Sequence, residues 1–121
     1  MKVIFSKTIC RKEKINEKIR LLIMKFLAKG VFIKIKGEFL PKNSQLIKIY
    51  ATTAEGARRI IFLVDLRDGK MFFLFYRSKN DKIGENITIK NKEFKSVLHK
   101  YLKILKEDIL SENCCLFEVK D

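Results

Sequence analysis

Two nearly unbroken apolar runs, Ile60-Ile61-Phe62-Leu63-Val64 and Met71-Phe72-Phe73-Leu74-Phe75, flank an Asp68-Gly69 pair, and no other feature of the chain constrains its fold as strongly. An Asp-Gly pair between two β-rich runs signals a hairpin, because glycine supplies the positive φ that a tight turn needs. Arg58 to Leu66 and Lys70 to Arg77 are therefore expected to pair antiparallel through Arg67-Asp68-Gly69. Apolar residues at consecutive positions, rather than alternating ones, mark strands covered on both faces, so this hairpin should lie at the centre of a sheet.

The rest of the chain is read outward from that hairpin. Lys2 to Ser6 reads as a first strand, and Lys12 to Lys29 as a helix with Ile15, Ile19, Leu22, Ile23, Phe26 and Leu27 on one face. Gly30 is its natural stop. Lys14, Lys18, Arg20 and Lys25 fall on the opposite, solvated face. Val31 to Lys36 and Gln45 to Thr52 read as strands separated by the loop signals Gly37 and Pro41-Lys42-Asn43-Ser44, and Ala54-Glu55-Gly56 turns the chain into the hairpin. After a polar stretch from Ser78 to Asn86 and a short Ile87-Thr88-Ile89 run, Asn91 is placed to cap a second helix reaching about Ile109. Its apolar stripe is Phe94, Val97, Leu98, Tyr101, Leu102, Leu105 and Ile109. Cys114 to Val119 is a candidate edge strand. The expected fold class is α+β: a small antiparallel sheet packed against N-terminal and C-terminal helices, in one domain spanning residues 1–121.

Charge narrows the function. Lysine and arginine number 27 against 14 acids, a formal net charge of +13. Self-repulsion of that size is most simply explained by a polyanionic partner, although an AT-rich genome also inflates lysine. The cations are spread over many segments rather than along one amphipathic helix, which favours nucleic acid over a membrane surface. No signal peptide or membrane span is legible, so the expected location is the cytoplasm. Cys10, Cys114 and Cys115 suit neither a disulfide framework nor metal-ligand spacing and are expected to pack in the interior. No cofactor and no metal is expected, since there is no phosphate-binding glycine loop, no His-Cys cluster and no nucleophile elbow.

The candidate site lies at one end of the hairpin. Arg58-Arg59 opens its first strand and Tyr76-Arg77-Ser78-Lys79 closes its second, and antiparallel pairing makes those ends neighbours. Lys48 and Tyr50 join them if the preceding strand pairs alongside, and Lys82 follows in the next turn. RNA cleavage through the 2′-hydroxyl needs a base, cations for the pentavalent phosphate and an acid for the leaving oxygen. Crowded cations favour a neutral lysine that serves as base. Arginine, always charged, grips phosphate, and tyrosine stacks on bases. The plain alternatives are that Arg58 and Arg59 mark a strand end, that Tyr76 to Lys82 is a solvated loop and that Lys48 sits on an exposed strand face. Asp65 and Asp68 read as turn residues, Asp81 as a balance for nearby cations, and His99 as a surface histidine.

At Gly56-Ala57-Arg58-Arg59-Ile60-Ile61-Phe62, Asp68-Gly69 and Phe75-Tyr76-Arg77-Ser78-Lys79, the sequence resembles the RelE/ParE superfamily of toxins from type II toxin-antitoxin systems, in its RelE-like branch. Residues from about 12 to 109 can be laid on that pattern. The resemblance implies a small antiparallel sheet with helices against it, metal-independent cleavage of mRNA in the ribosomal A site, and inhibition by a cognate antitoxin. By that likeness Arg59 takes the place of the arginine after the glycine turn, Lys48 that of a basic residue on the preceding strand, and Arg77 or Lys79 that of the basic position after the next strand. Arg58, Tyr76, Tyr50 and Lys82 are then substrate-binding candidates. The chain departs from the pattern where the family carries a C-terminal tyrosine or histidine, because Tyr101 and His99 fall within a helix, and the link from Lys79 to Asn91 is long. The expected partners are thus an antitoxin, the ribosome and mRNA, with no membrane and no small-molecule cofactor. The alternatives are a ParE-like inhibitor of DNA gyrase and a non-catalytic basic nucleic-acid-binding protein.

Overall fold

The computed structural model describes residues 1–35, 40–84, 87 and 90–119. Its strands are β1 (Lys2–Ser6), β2 (Ile33–Ile35), β3 (Ser44–Thr53), β4 (Gly56–Asp65), β5 (Met71–Ser78) and β6 (Cys114–Glu118), and its helices are α1 (Lys7–Lys12), α2 (Glu17–Ala28) and α3 (Lys92–Leu110). The strands form one sheet in the order β2-β3-β4-β5-β1-β6. The apolar hairpin β4-β5 is central, as its composition requires. Asp65 organises the turn: its carboxylate accepts the Arg67 backbone N–H at 3.0 Å, and its own N–H donates to the Lys70 carbonyl at 2.9 Å. Gly69 closes the turn at φ +75°, where a side chain would be strained.

The sheet is mixed, which corrects the expected all-antiparallel arrangement. β1 runs parallel to β5, with Val3 opposite Met71, while β6 runs antiparallel to β1 on its outer side. The long crossover from β1 through two helices to β2 permits this, because such a connection leaves strand direction free whereas a tight turn imposes antiparallel pairing. The fold is α+β, with three helices and a mixed six-stranded sheet among the described residues.

A β-bulge between Ile61 and Phe62 explains how the hairpin covers both faces. Phe75 lies opposite Ile61 and Phe73 opposite Phe62, so these two phenylalanines, although two apart, point to opposite sides. Phe75 packs beneath α3 against Phe94 and Tyr101, with ring centroids at 5.4 and 4.9 Å. Phe73 stacks on Phe5 and meets Phe62 edge-on on the other side, where α2 buries Ile23 and Leu27. The result is one core of contiguous apolar side chains spanning both faces.

The helix expected over residues 12–29 is α2, which begins only at Glu17, and a separate short helix, α1, precedes it. The Ser6 hydroxyl caps α1 by accepting from the Ile9 N–H at 3.1 Å, and Asn16 caps α2 by accepting from the Ile19 N–H at 2.8 Å. Between them Lys14 takes φ +57°, and Ile15, expected on the helix face, lies in the link with its N–H on the Cys10 carbonyl. Two caps within ten residues outweigh the continuous apolar spacing. Arg20 is likewise not on a solvated face; its guanidinium lies 3.9 Å from the centroid of Phe117. Gly30 does end α2, at φ +70°, and Asn91 caps α3 by accepting from Glu93 and Phe94. Cys114 to Glu118 is an edge strand. The expected strand over Val31 to Lys36 is described for residues 33–35 only; Lys36, Gly37, Glu85, Asn86, Thr88 and Ile89 lie outside the described residues.

Candidate nucleic-acid interface

Strand register decides which candidate residues meet. Tyr50, Arg59 and Arg77 form one cross-strand row, and Lys48 and Ile61 lie opposite each other two positions along. All project to the face over which α3 lies, because Phe75 pairs with Ile61 and packs against α3. Ala51, Arg58 and Ser78 form the adjacent row on the α2 face, with Tyr76 opposite Ile60. Adjacent residues of a strand point oppositely, so Arg58 and Arg59 cannot share one ligand face. The candidate cluster is therefore two clusters.

On the α3 face, Tyr50 is half exposed and carries two cations. The Arg59 guanidinium lies 4.1 Å from its ring centroid and the Lys48 Nζ 5.1 Å. Arg59 also donates to the Arg58 carbonyl at 3.2 Å. Among the described residues no carboxylate forms an ion pair with Lys48 or Arg59. Two cations held over an accessible ring by cation–π attraction, with no acid among the described residues ion-paired to them, form an anion-seeking surface with a stacking platform.

Arg77 shares this face but is engaged. Its Nε donates to Glu13 at 2.9 Å and its second guanidinium nitrogen to the same carboxylate at 2.7 Å, while the remaining nitrogen reaches Asp81 at 3.4 Å. Glu13 also accepts from the Tyr101 hydroxyl at 2.6 Å and from the Tyr76 backbone N–H at 2.9 Å. Its side chain is fully buried. The carboxylate fills the edge of β5 just beyond the point where β1 leaves the sheet, satisfying a backbone donor that has lost its strand partner. The hydrogen bonds that Arg77 donates to Glu13 outweigh burial and hold its guanidinium well above the usual arginine range. Burial, reinforced by Glu13, pushes the Tyr101 phenol well above its ordinary value. Arg77 is thus a structural cation first. Sequence reasoning missed Glu13, and nothing local to it signals the role; its donors, Tyr76, Arg77 and Tyr101, lie at least 63 positions away.

On the α2 face, Arg58 stands 6.0 Å from the Tyr76 ring and forms an ion pair at 3.8 Å with Glu55. Tyr76 borders a groove between α2 and the β3–β4 turn, and burial raises its phenol pKa. Lys79 and Lys82 are exposed on the turn after β5, with the Lys79 N–H tied to the Ala57 carbonyl at 3.1 Å. Asp81 organises that turn by accepting from Arg77 and from the Ile83 N–H, as its reading as a charge balance anticipates. Tyr101 is core, and His99 is exposed on the outer side of α3. Among the described residues no group of His, Cys, Asp and Glu is arranged to hold a metal ion, and no helix is long and apolar enough to cross a membrane.

The fold and this surface define an α+β protein with an unneutralised cationic and aromatic patch on one face of its sheet. No family model matches the sequence, and no curated protein and no solved structure matches it either.

Proposed function

We propose that this protein is the toxin of a toxin-antitoxin pair, RelE-like in action, which binds mRNA on the ribosome through the Lys48-Tyr50-Arg59 patch and cleaves it. The observation that carries the reading is the pair of unneutralised cations over the half-exposed Tyr50 ring. In this reading Tyr50 stacks on a base beside the scissile phosphate. Arg59 donates paired N–H groups to the phosphate oxygens as negative charge grows on them. Lys48, the second cation on that face, adds positive charge at the same phosphate while solvent water takes the 2′-hydroxyl proton. The 2′-oxygen bonds to phosphorus, the bond to the 5′-oxygen breaks, that oxygen takes a proton from solvent water, and a cyclic phosphate and a 5′-hydroxyl result. Lys79 and Lys82 hold the flanking backbone electrostatically. Arg77 acts as a positioning residue, fixing the end of β5 beside Arg59.

The test adds the protein to translating ribosomes and maps mRNA ends. New ends are expected, and Arg59→Ala should reduce cleavage by about 10²-fold or more. Intact mRNA with normal elongation refutes the function; cleavage retained in Arg59→Ala refutes the residue assignment. The engagement of Arg77 by Glu13 favours one second reading, a nucleic-acid-binding protein without catalysis. It predicts RNA affinity that falls steeply with salt and no new ends at any protein concentration. Inhibition of gyrase supercoiling in the absence of mRNA cleavage would instead assign the ParE-like role.

A further inference from the structure

Val31, Phe32 and Ile33 are consecutive apolar residues that remain 77%, 44% and 47% exposed. They lead into and open β2, which ends the sheet: among the described residues no strand lies beyond it. An edge strand with an exposed aliphatic and aromatic run is a template for another chain, and proteins that work alone blunt such edges. The only charge within β2 itself is Lys34.

Positive charge dominates this corner, although Glu55 also lines the adjoining groove. From Lys18 to Ile35 the chain carries Lys18, Arg20, Lys25, Lys29 and Lys34 and no acidic residue. Lys18, Lys25 and Lys29 border the groove of about 680 Å³ that α2 forms with the β3–β4 turn, over a floor that includes Ile19, Leu22 and Phe26. A second copy of this chain would bring the same lysines against themselves, which like-charge repulsion disfavours. Nucleic acid offers phosphates but no backbone that continues a sheet.

We propose that the outer edge of β2 is a docking site for an acidic segment of a partner protein, alternately apolar and charged, which adds to the sheet as a further strand. The partner's backbone pairs with the free edge, its apolar side chains lie on the face of Ile33, and its carboxylates lie on the opposite face, that of Lys34. The inference depends on the edge alone and stands apart from the reaction proposed above.

The probe is a synthetic peptide of alternating glutamate and valine, titrated into the full-length isotope-labelled protein at physiological salt. Three controls accompany it: a glutamate-serine peptide, a backbone N-methylated version of the probe, and oligouridylate. One-to-one binding is expected, with amide shifts and exchange protection centred on Val31 to Ile35. Phe32→Ser and Ile33→Ser, both at exposed positions, should weaken binding about tenfold or more. Equal affinity for the serine or methylated peptide would mean attraction by charge alone and overturn the proposal. So would shifts spread over the α3 lysines, the same shifts produced by oligouridylate, or a concentration-dependent dimer that Phe32→Ser abolishes.

Discussion

Replacing Glu13 should destabilise the protein more than any other single change to a charged residue described here. The carboxylate is fully buried and satisfies the Arg77 guanidinium, the Tyr101 hydroxyl and the Tyr76 backbone N–H at once. Removing one partner of a buried ion pair typically costs about 3–5 kcal/mol, and each buried donor left unpaired costs about 1–3 kcal/mol. Arg77 keeps 23% of its side chain exposed and a second contact to Asp81, so it recovers part of its solvation. Tyr101 and the Tyr76 N–H do not. The expected loss for Glu13→Ala is about 3–4 kcal/mol, and for Glu13→Gln about 2–3 kcal/mol, because the amide still accepts two bonds but turns a donor toward another donor. With a urea slope of ~2 kcal/mol/M, the alanine variant's midpoint should fall by roughly 1.5–2 M. The discriminating measurement is a double-mutant cycle: Glu13→Leu combined with Arg77→Met removes both charges, and its cost should be well below the sum of the single changes. Additive costs, or a Glu13→Ala variant within about 0.5 kcal/mol of the parent, would refute the network as described.

Asp108 is the other buried acid joining distant segments, accepting from the Ser6 hydroxyl at 2.5 Å, the Thr8 N–H at 3.1 Å and the Asn113 amide at 3.3 Å. Burial raises its pKa but these hydrogen bonds outweigh it, so the group titrates below its ordinary value. Its stabilisation is present above the unfolded carboxyl pKa of about 3.9 and lost as pH falls through the folded value, and Asp108→Ala should remove about 2–4 kcal/mol in urea unfolding at pH 7. At the alkaline end, burial and then the neighbouring Cys115 push the Cys10 thiol up to about 11. A raised pKa gives stability that is intact below the unfolded value and declines as pH rises, so unfolding between about pH 9 and 11 should be eased in the parent and less so in Cys10→Ala, by on the order of 1 kcal/mol. Gly84 lies so close to Ser78 that an added Cβ would stand 2.0 Å from the Ser78 carbonyl oxygen, and Gly84→Ala should displace the turn after β5 and lower thermal stability by several degrees. An unchanged melting temperature would show that this turn is not packed as described.

Period and punctuation determined the elements. The consecutive apolar residues around Asp68-Gly69 could satisfy themselves only as central strands, Asn91 and Gly30 are residue types whose local chemistry caps and stops helices, and the hairpin's pairing brought Arg59 beside Arg77 without further information. Tertiary structure decided what local rules do not encode. The parallel placement of β1 beside β5 depends on the path of the crossover, and the role of Glu13, in the link between α1 and α2, on donors 63 or more residues away. It also separated Arg58 from Arg59, because strand alternation sends them to opposite faces, and committed Arg77 to Glu13 and Asp81, leaving Arg59 and Lys48 as the cations over Tyr50. Charge is a property of the sequence; whether a cation is available to a ligand depends on which acids the fold brings within reach of it.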